Sequence, residues 1–498
     1  MEMVNKKSDP LGLNSFFDPR CISVIGSMKE GLFGGYVVIN SLLKAGFRGK
    51  IFPVHPSCKE VLGLNVYPSI KMVPDQIDLV LIITGARSVS GILKECLEQG
   101  VRAAIVVSDG FAERDEEGRK LQEEIVEIAR RGNLRILGPN TAGIANPSKG
   151  LIPNPYEMGY EKVKPGGVAI CAQTGMINPQ AFPYGDLGYG VSKICDFGNK
   201  ADVDECDIME YLENDPDTKT LTFYLESIKD GKRFLKVSKR VTSKKPVLIL
   251  KSGRTEEGAR VSASHTGSLA MDDRIFEAAC RQSGVIRMKT FRELFELPKI
   301  FALQPLPRGN RLGIITFTGG VGVLAIDEAE KYDLTVPLLS PATRKRLEGI
   351  FPGLGRRIVD IGPPMAAVNN YMSFYSETLN TMMADPSIDS IFNVLWTGPS
   401  HELIEDYLKI YQGLQGNHKT IASWVYGPRV SYMNELSRHL EEMGFPVFSD
   451  IEMAIKAIGV ATRYATAIRH NRPVSYTHLR AHATPEHLVC RLLLDKKN

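Results

Sequence analysis

The 498-residue sequence has no CxxC pair among its eight scattered cysteines. That favours reduced thiols in a cytoplasmic protein over a disulfide framework or a zinc site. No apolar run approaches the ~20 residues that cross a bilayer. The opening "MEMVNKKSDPLGLNSFF" lacks the apolar core of a signal peptide. A soluble, cytoplasmic chain is therefore expected, with no membrane partner. Net charge is low, +4, too small to single out nucleic acid as a partner. Neither GxGxxG nor a Walker A sequence is present, which argues against NAD and against a P-loop nucleotide site. What is there is the composition of an ordinary globular protein, 43% hydrophobic and 24% charged, long enough for about three domains.

One segment changes character. From Pro473, "PVSYTHLRAHATPEHLVCRLLLDKKN" holds three of the nine histidines. His478, His482, His487 and Cys490 have the chemistry of a metal cluster. The composition instead resembles translated adapter sequence, so 473–498 reads as a non-native tail and no metal site is expected.

The rest alternates strand and helix patterns. "CISVIGS" (21–27), "GKIFPVHP" (49–56), "DLVLIITGA" (78–86), "RAAIVVSDG" (102–110) and "LRILGPN" are short β-branched runs bounded by turn residues. Helical patterns such as "GYVVINSLLKAGF" lie between them, which predicts βαβ units around a parallel sheet. After a Pro/Gly-rich connection the pattern restarts with "GVAICAQTG" (167–175), "GVSKICDFG" (190–198), "LTFYLES" (221–227) and "KPVLILKSG" (245–253). A third block follows "LQPLPRGNR" (303–311), with strands at "LGIITFTGG", "SIFNVLWTG" (390–398) and "TIASWVYG" (420–427) and a closing helix "IEMAIKAIGVATRYATAI". The expected fold is α/β throughout, with domains at 10–145, 160–302 and 308–470.

Parallel sheets bind ligands beyond the carboxyl ends of their strands. There, unpaired N–H groups at a helix start attract phosphate. Three junctions suit this. In the first, Gly26, Ser27 and Met28 form a turn able to cradle a diphosphate, with Lys29 adding charge; an ordinary tight βα turn would use the same residues. The second is Gln173, Thr174 and Gly175. The third is Thr318, Gly319 and Gly320, followed by Gly322. The last two turns are alike, and two such ends could converge on one phosphate.

"SASHTGSLA" (262–270) sets His265 among small residues, within the polar stretch "KSGRTEEGARVSASHTGSLAMDD" read here as a long loop. An imidazole is largely neutral at pH 7 and therefore nucleophilic. Its ring nitrogen can accept a phosphoryl group, given a carboxylate that holds the other ring N–H. Glu226, ending "LTFYLES", is the best candidate for that carboxylate. Residue type alone equally describes a solvent-exposed loop histidine.

Taken together, "SVIGS", "GKIFPVHP", "GLNVYPSI", "ILGPNTAGIANP", "GNKADVDECDIMEYLENDPDTK", "YLESIKDGKRF", "KPVLILKSGRTEEGARVSASHTGSLA" and "LQPLPRGNRLGIIT" resemble the NDP-forming acyl-CoA synthetases. The resemblance spans about residues 10–470 in one order and is strongest to α subunits of ADP-forming acid–CoA ligases. It implies a Rossmann-type CoA-binding domain followed by two flavodoxin-like ligase domains. It also implies an exchange of acyl-CoA, ADP and phosphate with acid, CoA and ATP, through acyl phosphate and phosphohistidine. His265 then becomes the phosphorylated residue and Glu226 its stabilising carboxylate. Gln173–Gly175 and Thr318–Gly320 become the phosphate-holding helix starts. Gly26, Ser27, Met28, Lys29, Lys59, Thr84, Gly85, Ala86, Ser108, Asp109 and Gly110 fall where CoA contacts are expected, and Asn140 falls near the acyl group.

There are departures. The family's Asn-Pro-Val-Asp is represented by "RRIVDIG", and the glycine turn at 31–35 is altered. The three blocks leave no room for an ATP-grasp module. ADP or ATP with Mg2+ is therefore expected on a separate ATP-grasp β subunit, in a hetero-oligomer, or on a fused domain lost with the C-terminus. A CoA-binding regulator or scaffold of the same fold is the alternative, and it would bind CoA without forming phosphohistidine.

Overall fold

The computed structural model describes residues 12–156, 163–177, 184, 187–266, 272–365 and 367–470, with 262–266 described by their backbone. The tail at 473–498 lies outside the described residues. The chain forms two compact units, Met1–Leu303 and Gln304–Asn498.

The first unit holds two sheets. In the first, β1 (Cys21–Gly26), β2 (Lys50–Val54), β3 (Leu79–Ile83), β4 (Ala103–Val106) and β5 (Arg135–Leu137) run parallel in the order β2-β1-β3-β4-β5. The central strand β3, "LVLII", is buried along its whole length, as a strand covered by helices on both faces must be. The helix Glu116–Gly132 is fixed at both ends: the Asp115 side chain accepts the Gly118 N–H at 2.8 Å, and Asn133 stops it in the left-handed region, φ 52°.

The second sheet contains β6 (Ile144–Ala145), β7 (Pro165–Ala172), β8 (Val191–Asp196), β9 (Thr220–Leu225), β10 (Val247–Lys251) and β11 (Ile286–Met288), in the order β11-β10-β9-β7-β8-β6. All pairs are parallel except β6, which runs antiparallel along the edge of β8. Because β6 comes from the stretch just after the first sheet, the two sheets share one hydrophobic core running from Leu13 to Val285.

In the second unit, β12 (Leu312–Thr316), β13 (Ile358–Asp360), β14 (Ser390–Trp396), β15 (Thr420–Tyr426) and β16 (Val447–Phe448) form a parallel sheet ordered β13-β12-β14-β15-β16. The helix Ile451–Arg469 closes the unit. In each sheet the strand order reverses between the first and third parallel strands, and the crevice beyond their carboxyl ends is where such sheets hold ligands.

Two expectations change. Within the polar stretch read as a loop, residues Glu256–Thr266 form a helix. Thr255 Oγ1 accepts the Gly258 N–H at 3.1 Å, and Glu256 and Glu257 favour the positive helix start, so capping and charge outweigh the abundance of small residues. Second, the start expected at Gln173–Gly175 is a single 3-10 turn, Gly175–Ile177, within the described residues.

The second sheet meets the first through a close backbone approach at Gly198. Its φ is +52°, and a Cβ there would lie 2.2 Å from Pro139 O and 2.5 Å from Asn140 O. Gly198→Ala should therefore cost roughly 2–4 kcal/mol, combining left-handed strain with overlap. A urea unfolding series on the full chain measures this. A change below about 0.5 kcal/mol, the usual range for a surface substitution, would refute the close approach.

Candidate functional site

The carboxyl edge of the second sheet gathers three polar side chains from adjacent strands. Gln173, just past β7, is 6% exposed. Its N–H donates to Tyr224 O at 3.0 Å, and its Oε1 accepts the N–H groups of Glu226 at 2.9 Å and Ser227 at 3.1 Å. The expected phosphate-turn glutamine thus holds the backbone that carries Glu226, which is itself partly exposed. Thr174 Oγ1 accepts the Met176 N–H at 3.3 Å, and Gly175 is exposed.

Asp196, ending β8, is the third member, and nothing in the sequence singled it out. It is buried, with Oδ2 accepting the Ala142 N–H at 2.8 Å and Oδ1 the Gly198 N–H at 3.1 Å. Burial raises its pKa to about 6; those hydrogen bonds oppose the rise, and the charge of Glu226 adds to it. Asp204 is also raised to about 6, by burial and then by Glu205 and Asp207. The folded chain therefore holds these protons more tightly than the unfolded chain. Their stabilising effect is complete below pH ~4 and is lost as the pH rises through about 6. A shift of this size corresponds to roughly 2–3 kcal/mol for Asp196. Carbon-13 carboxyl titration should show both aspartates with midpoints near 6. Midpoints of ~4 would show the burial to be incomplete.

Beneath these groups lies a second feature that sequence reasoning missed. Lys200 is fully buried, and its Nζ donates to Glu205 Oε2 at 2.7 Å and to Ser227 O at 2.6 Å. Lys229 Nζ donates to Lys200 O. This network ties the turn after β8 to the loop carrying Glu226. The stretch "GNKADVDE" offered a signal, a lysine beside a helix-capping acid, but only the fold reveals that the pair is buried.

At the carboxyl ends of β3, β4 and β5 there is a cleft of about 970 Å³. It brings together Gly85, Ala86, Asp109, Gly110 and Asn140 from the expected residues, and adds Arg87, Ser88 and Arg114, which were not foreseen. Thr84 and Ser108 brace its wall: the Thr84 N–H donates to Ser108 Oγ at 3.3 Å, and Ser88 Oγ donates to Thr84 Oγ1 at 3.0 Å. Glu113 already accepts the Gly110 N–H at 2.6 Å and the Phe111 N–H at 3.0 Å, so Gly110 contributes shape rather than a backbone donor. Gly26, Ser27, Met28, Lys29 and Lys59 are not among the residues lining this cleft. Met28 is buried in the shared core, and Gly26 packs against Ile83, whose O would lie 2.7 Å from an added Cβ. Ser27, Lys29 and Lys59 are exposed.

Asn140 joins the cleft to the second sheet. Its N–H donates to Ser108 O at 2.9 Å, while its Nδ2 donates to Asn199 Oδ1 at 3.4 Å. His265 lies near the end of the helix Glu256–Thr266; its side chain is outside the described residues. In the second unit, Thr318 directly precedes the helix Gly319–Glu330 without a side-chain capping bond, and Thr318, Gly319 and Gly320 are all exposed. "RRIVDIG" places Asp360 at the end of β13, where its Oδ1 accepts the Gly362 N–H at 3.1 Å. Among the described residues no group of three or more His, Cys, Asp or Glu side chains is placed to hold a metal ion. No helix among them is long and apolar enough to cross a membrane.

Residues 20–147 match a family model described as a CoA binding domain, and residues 165–301 one described as a succinyl-CoA ligase like flavodoxin domain. Over 452 residues the chain is 36% identical to the α subunit of acetate–CoA ligase [ADP-forming] II of Pyrococcus furiosus, covering 88% of this chain and 94% of that one. The chain belongs to the ADP-forming acid–CoA ligase family. It is also 33% identical over 473 residues to the α subunit of isoenzyme I from the same organism, covering 91% of this chain and 98% of that one. The acetate–CoA ligase [ADP-forming] of Methanocaldococcus jannaschii shares 41% identity over 337 residues, 67% of this chain and 46% of that protein. Among solved structures, the Ca. Korarchaeum cryptofilum dinucleotide forming acetyl-coenzyme A synthetase 1, in complex with phosphate and ADP, aligns with a TM-score of 0.82. That match is 29% identical and covers 92% of this chain and 98% of that one. A family of this kind accounts for a CoA-sized cleft beside a polar strand edge.

Proposed function

We propose that this chain is the α subunit of an ADP-forming acid–CoA ligase that interconverts acyl-CoA, ADP and phosphate with a carboxylic acid, CoA and ATP. The observation that carries this reading is Asn140, which belongs to the wall of the cleft and bonds to Asn199 on the turn beside Asp196 and Gln173. A thioester seated in the cleft would present its acyl end to that edge.

The chemistry then runs in two displacements. Phosphate oxygen attacks the thioester carbonyl, the C–O bond forms and the C–S bond breaks, and CoA leaves as its thiol. A ring nitrogen of His265 next attacks the phosphorus of the acyl phosphate, and the P–O bond to the carboxylate breaks. Glu226 accepts the other ring N–H and steadies the imidazolium as the N–P bond forms. Backbone donors at Thr174 and Gly175, held next to Gln173, offset charge on the transferring phosphoryl group. A partner ATP-grasp subunit carries Mg2+-bound ADP, and we place the assembly in the cytoplasm, where CoA and nucleotide are supplied.

Incubating the chain with acetyl-CoA and radiolabelled phosphate should release CoA thiol and leave acid-labile, base-stable label on the His265 peptide. Adding ADP alone should not discharge it; adding an ATP-grasp β subunit with ADP should yield ATP. Thiol release without label would leave only an acyl-phosphate-forming half enzyme and would refute the assignment of His265.

A further inference from the structure

A carboxylate stands in the wall of the cleft, although the phosphates of CoA are anionic. Glu113 lies in the loop between β4 and the helix Glu116–Gly132, among the residues that line the cleft. A charge of that sign repels a phosphate-bearing ligand, so its presence calls for a reason. Its hydrogen bonds supply one. Oε1 accepts the N–H groups of Gly110 and Phe111 from its own loop. Oε2 accepts Asn199 Nδ2 at 2.5 Å, from the turn after β8 in the second sheet. Both oxygens are thereby taken, and Glu113 reaches from the cleft to the second sheet.

Asn199 passes that hold on. Its Nδ2 also donates to Gln122 Oε1 at 3.0 Å, and its Oδ1 accepts Asn140 Nδ2 at 3.4 Å. Its backbone N–H donates to Pro139 O at 2.9 Å, which sets the turn against the chain just before Asn140. A carboxylate accepts and never donates, so Glu113 compels Asn199 to present its NH2 group there and its carbonyl to Asn140. Asn140 in turn gives one amide hydrogen to Asn199 and keeps the other. Asn140 is exposed and lines the cleft, so the spare hydrogen is open to a ligand.

We infer that Glu113 and Asn199 are positioning residues for the thioester step. They fix the polarity of a hydrogen-bonded chain that ends at Asn140, so that the spare N–H meets the thioester carbonyl oxygen as phosphate attacks. The same carboxylate holds the Gly110 loop, so seating CoA and aiming the amide depend on one group. This rests on the ligase reading above. The competing account is a purely architectural bond between the two sheets, which predicts losses of stability or CoA affinity rather than of rate once the thioester is bound.

The test is single-turnover release of CoA thiol by the full chain from saturating acetyl-CoA with phosphate, beside inhibition by free CoA and urea unfolding. Asn199→Asp sets a carboxylate against that of Glu113, and Glu113→Gln sets one NH2 group against another. Each should slow release roughly 10–100-fold, the scale of a misplacement of about 1 Å, while inhibition by CoA changes less than about threefold. The double variant Glu113→Gln/Asn199→Asp exchanges acceptor and donor. The new amide keeps its oxygen on the Gly110 loop and donates to the new carboxylate, which still accepts Asn140 Nδ2. The double variant should return to within about threefold of the wild-type rate. Wild-type rates in both single variants overturn the inference, as does a double variant as slow as the worse single one. So do losses confined to CoA inhibition or to unfolding, which would make the contact architectural. Absence of both thiol release and histidine label in the wild type would instead remove the ligase reading itself, and this inference with it.

Discussion

Replacing His265 by alanine should reduce phosphate-derived label on the chain to background, a loss of more than about 10³-fold, while CoA binding is retained. The size of the effect follows from the role: a covalent acceptor cannot be partly replaced by its neighbours. Two other histidines are already engaged elsewhere. His55 Nδ1 accepts N–H groups from Ser57 at 3.3 Å and Cys58 at 3.2 Å, and His401 Nε2 lies 2.9 Å from Glu435 Oε1. Glu226→Gln should keep the label on His265 but slow its formation by about 10²–10³-fold, since an amide oxygen still accepts the ring N–H yet carries no charge to offset the cation. Label persisting at the wild-type rate in His265→Ala would end the phosphohistidine assignment. Labelling of a different peptide would move it.

The second large effect concerns stability. Lys200→Met or Glu205→Gln should destabilise the first unit by roughly 3–5 kcal/mol, because each leaves a buried charge without its counter-ion. Both residues are almost wholly enclosed, at 0% and 1% exposure. The pair also orients the site: Lys200 Nζ donates to Ser227 O, next to Glu226. The folded fraction of either variant should therefore label His265 more slowly than wild type. The double variant Lys200→Met/Glu205→Leu should regain most of the lost stability, since no uncompensated charge remains. Urea unfolding of the three proteins decides the matter; a double variant as unstable as the worse single one would show that packing, not charge, dominates.

How much of this could be read beforehand depends on element length. Strands such as "LVLII" and "SIFNVLW", with five and seven residues, carry enough β-branched and aromatic character to be recognised. Pairs and triplets such as Ile144–Ala145, Ile286–Met288 and Val447–Phe448 do not; they are strands because a neighbour offers its edge. The helix around His265 was hidden by its serines and glycine, which lower propensity, although the Thr255–Glu257 start was visible in principle. In the site, Gln173 and Glu226 were legible as residue types at strand ends. Their actual relation, a side-chain amide oxygen gripping two backbone N–H groups, spans 53 and 54 residues of sequence and leaves no local trace. Asp196 and Lys200 were illegible for the same reason: their importance comes from enclosure, which no spacing encodes. Arg87 and Arg114 meet only because successive βα loops open into one cleft.

The antiparallel strand β6 has a practical consequence for anyone dissecting the chain. Its two residues, Ile144 and Ala145, seal the outer edge of β8 through the pairs Ile194↔Ala145 and Cys195↔Ile144. A cut near residue 150, between the two matched family models, would strip that seal and leave an apolar strand margin bare and prone to clumping. The two modules are thus stitched into one inheritable piece, and expression boundaries should keep the hem with the cloth.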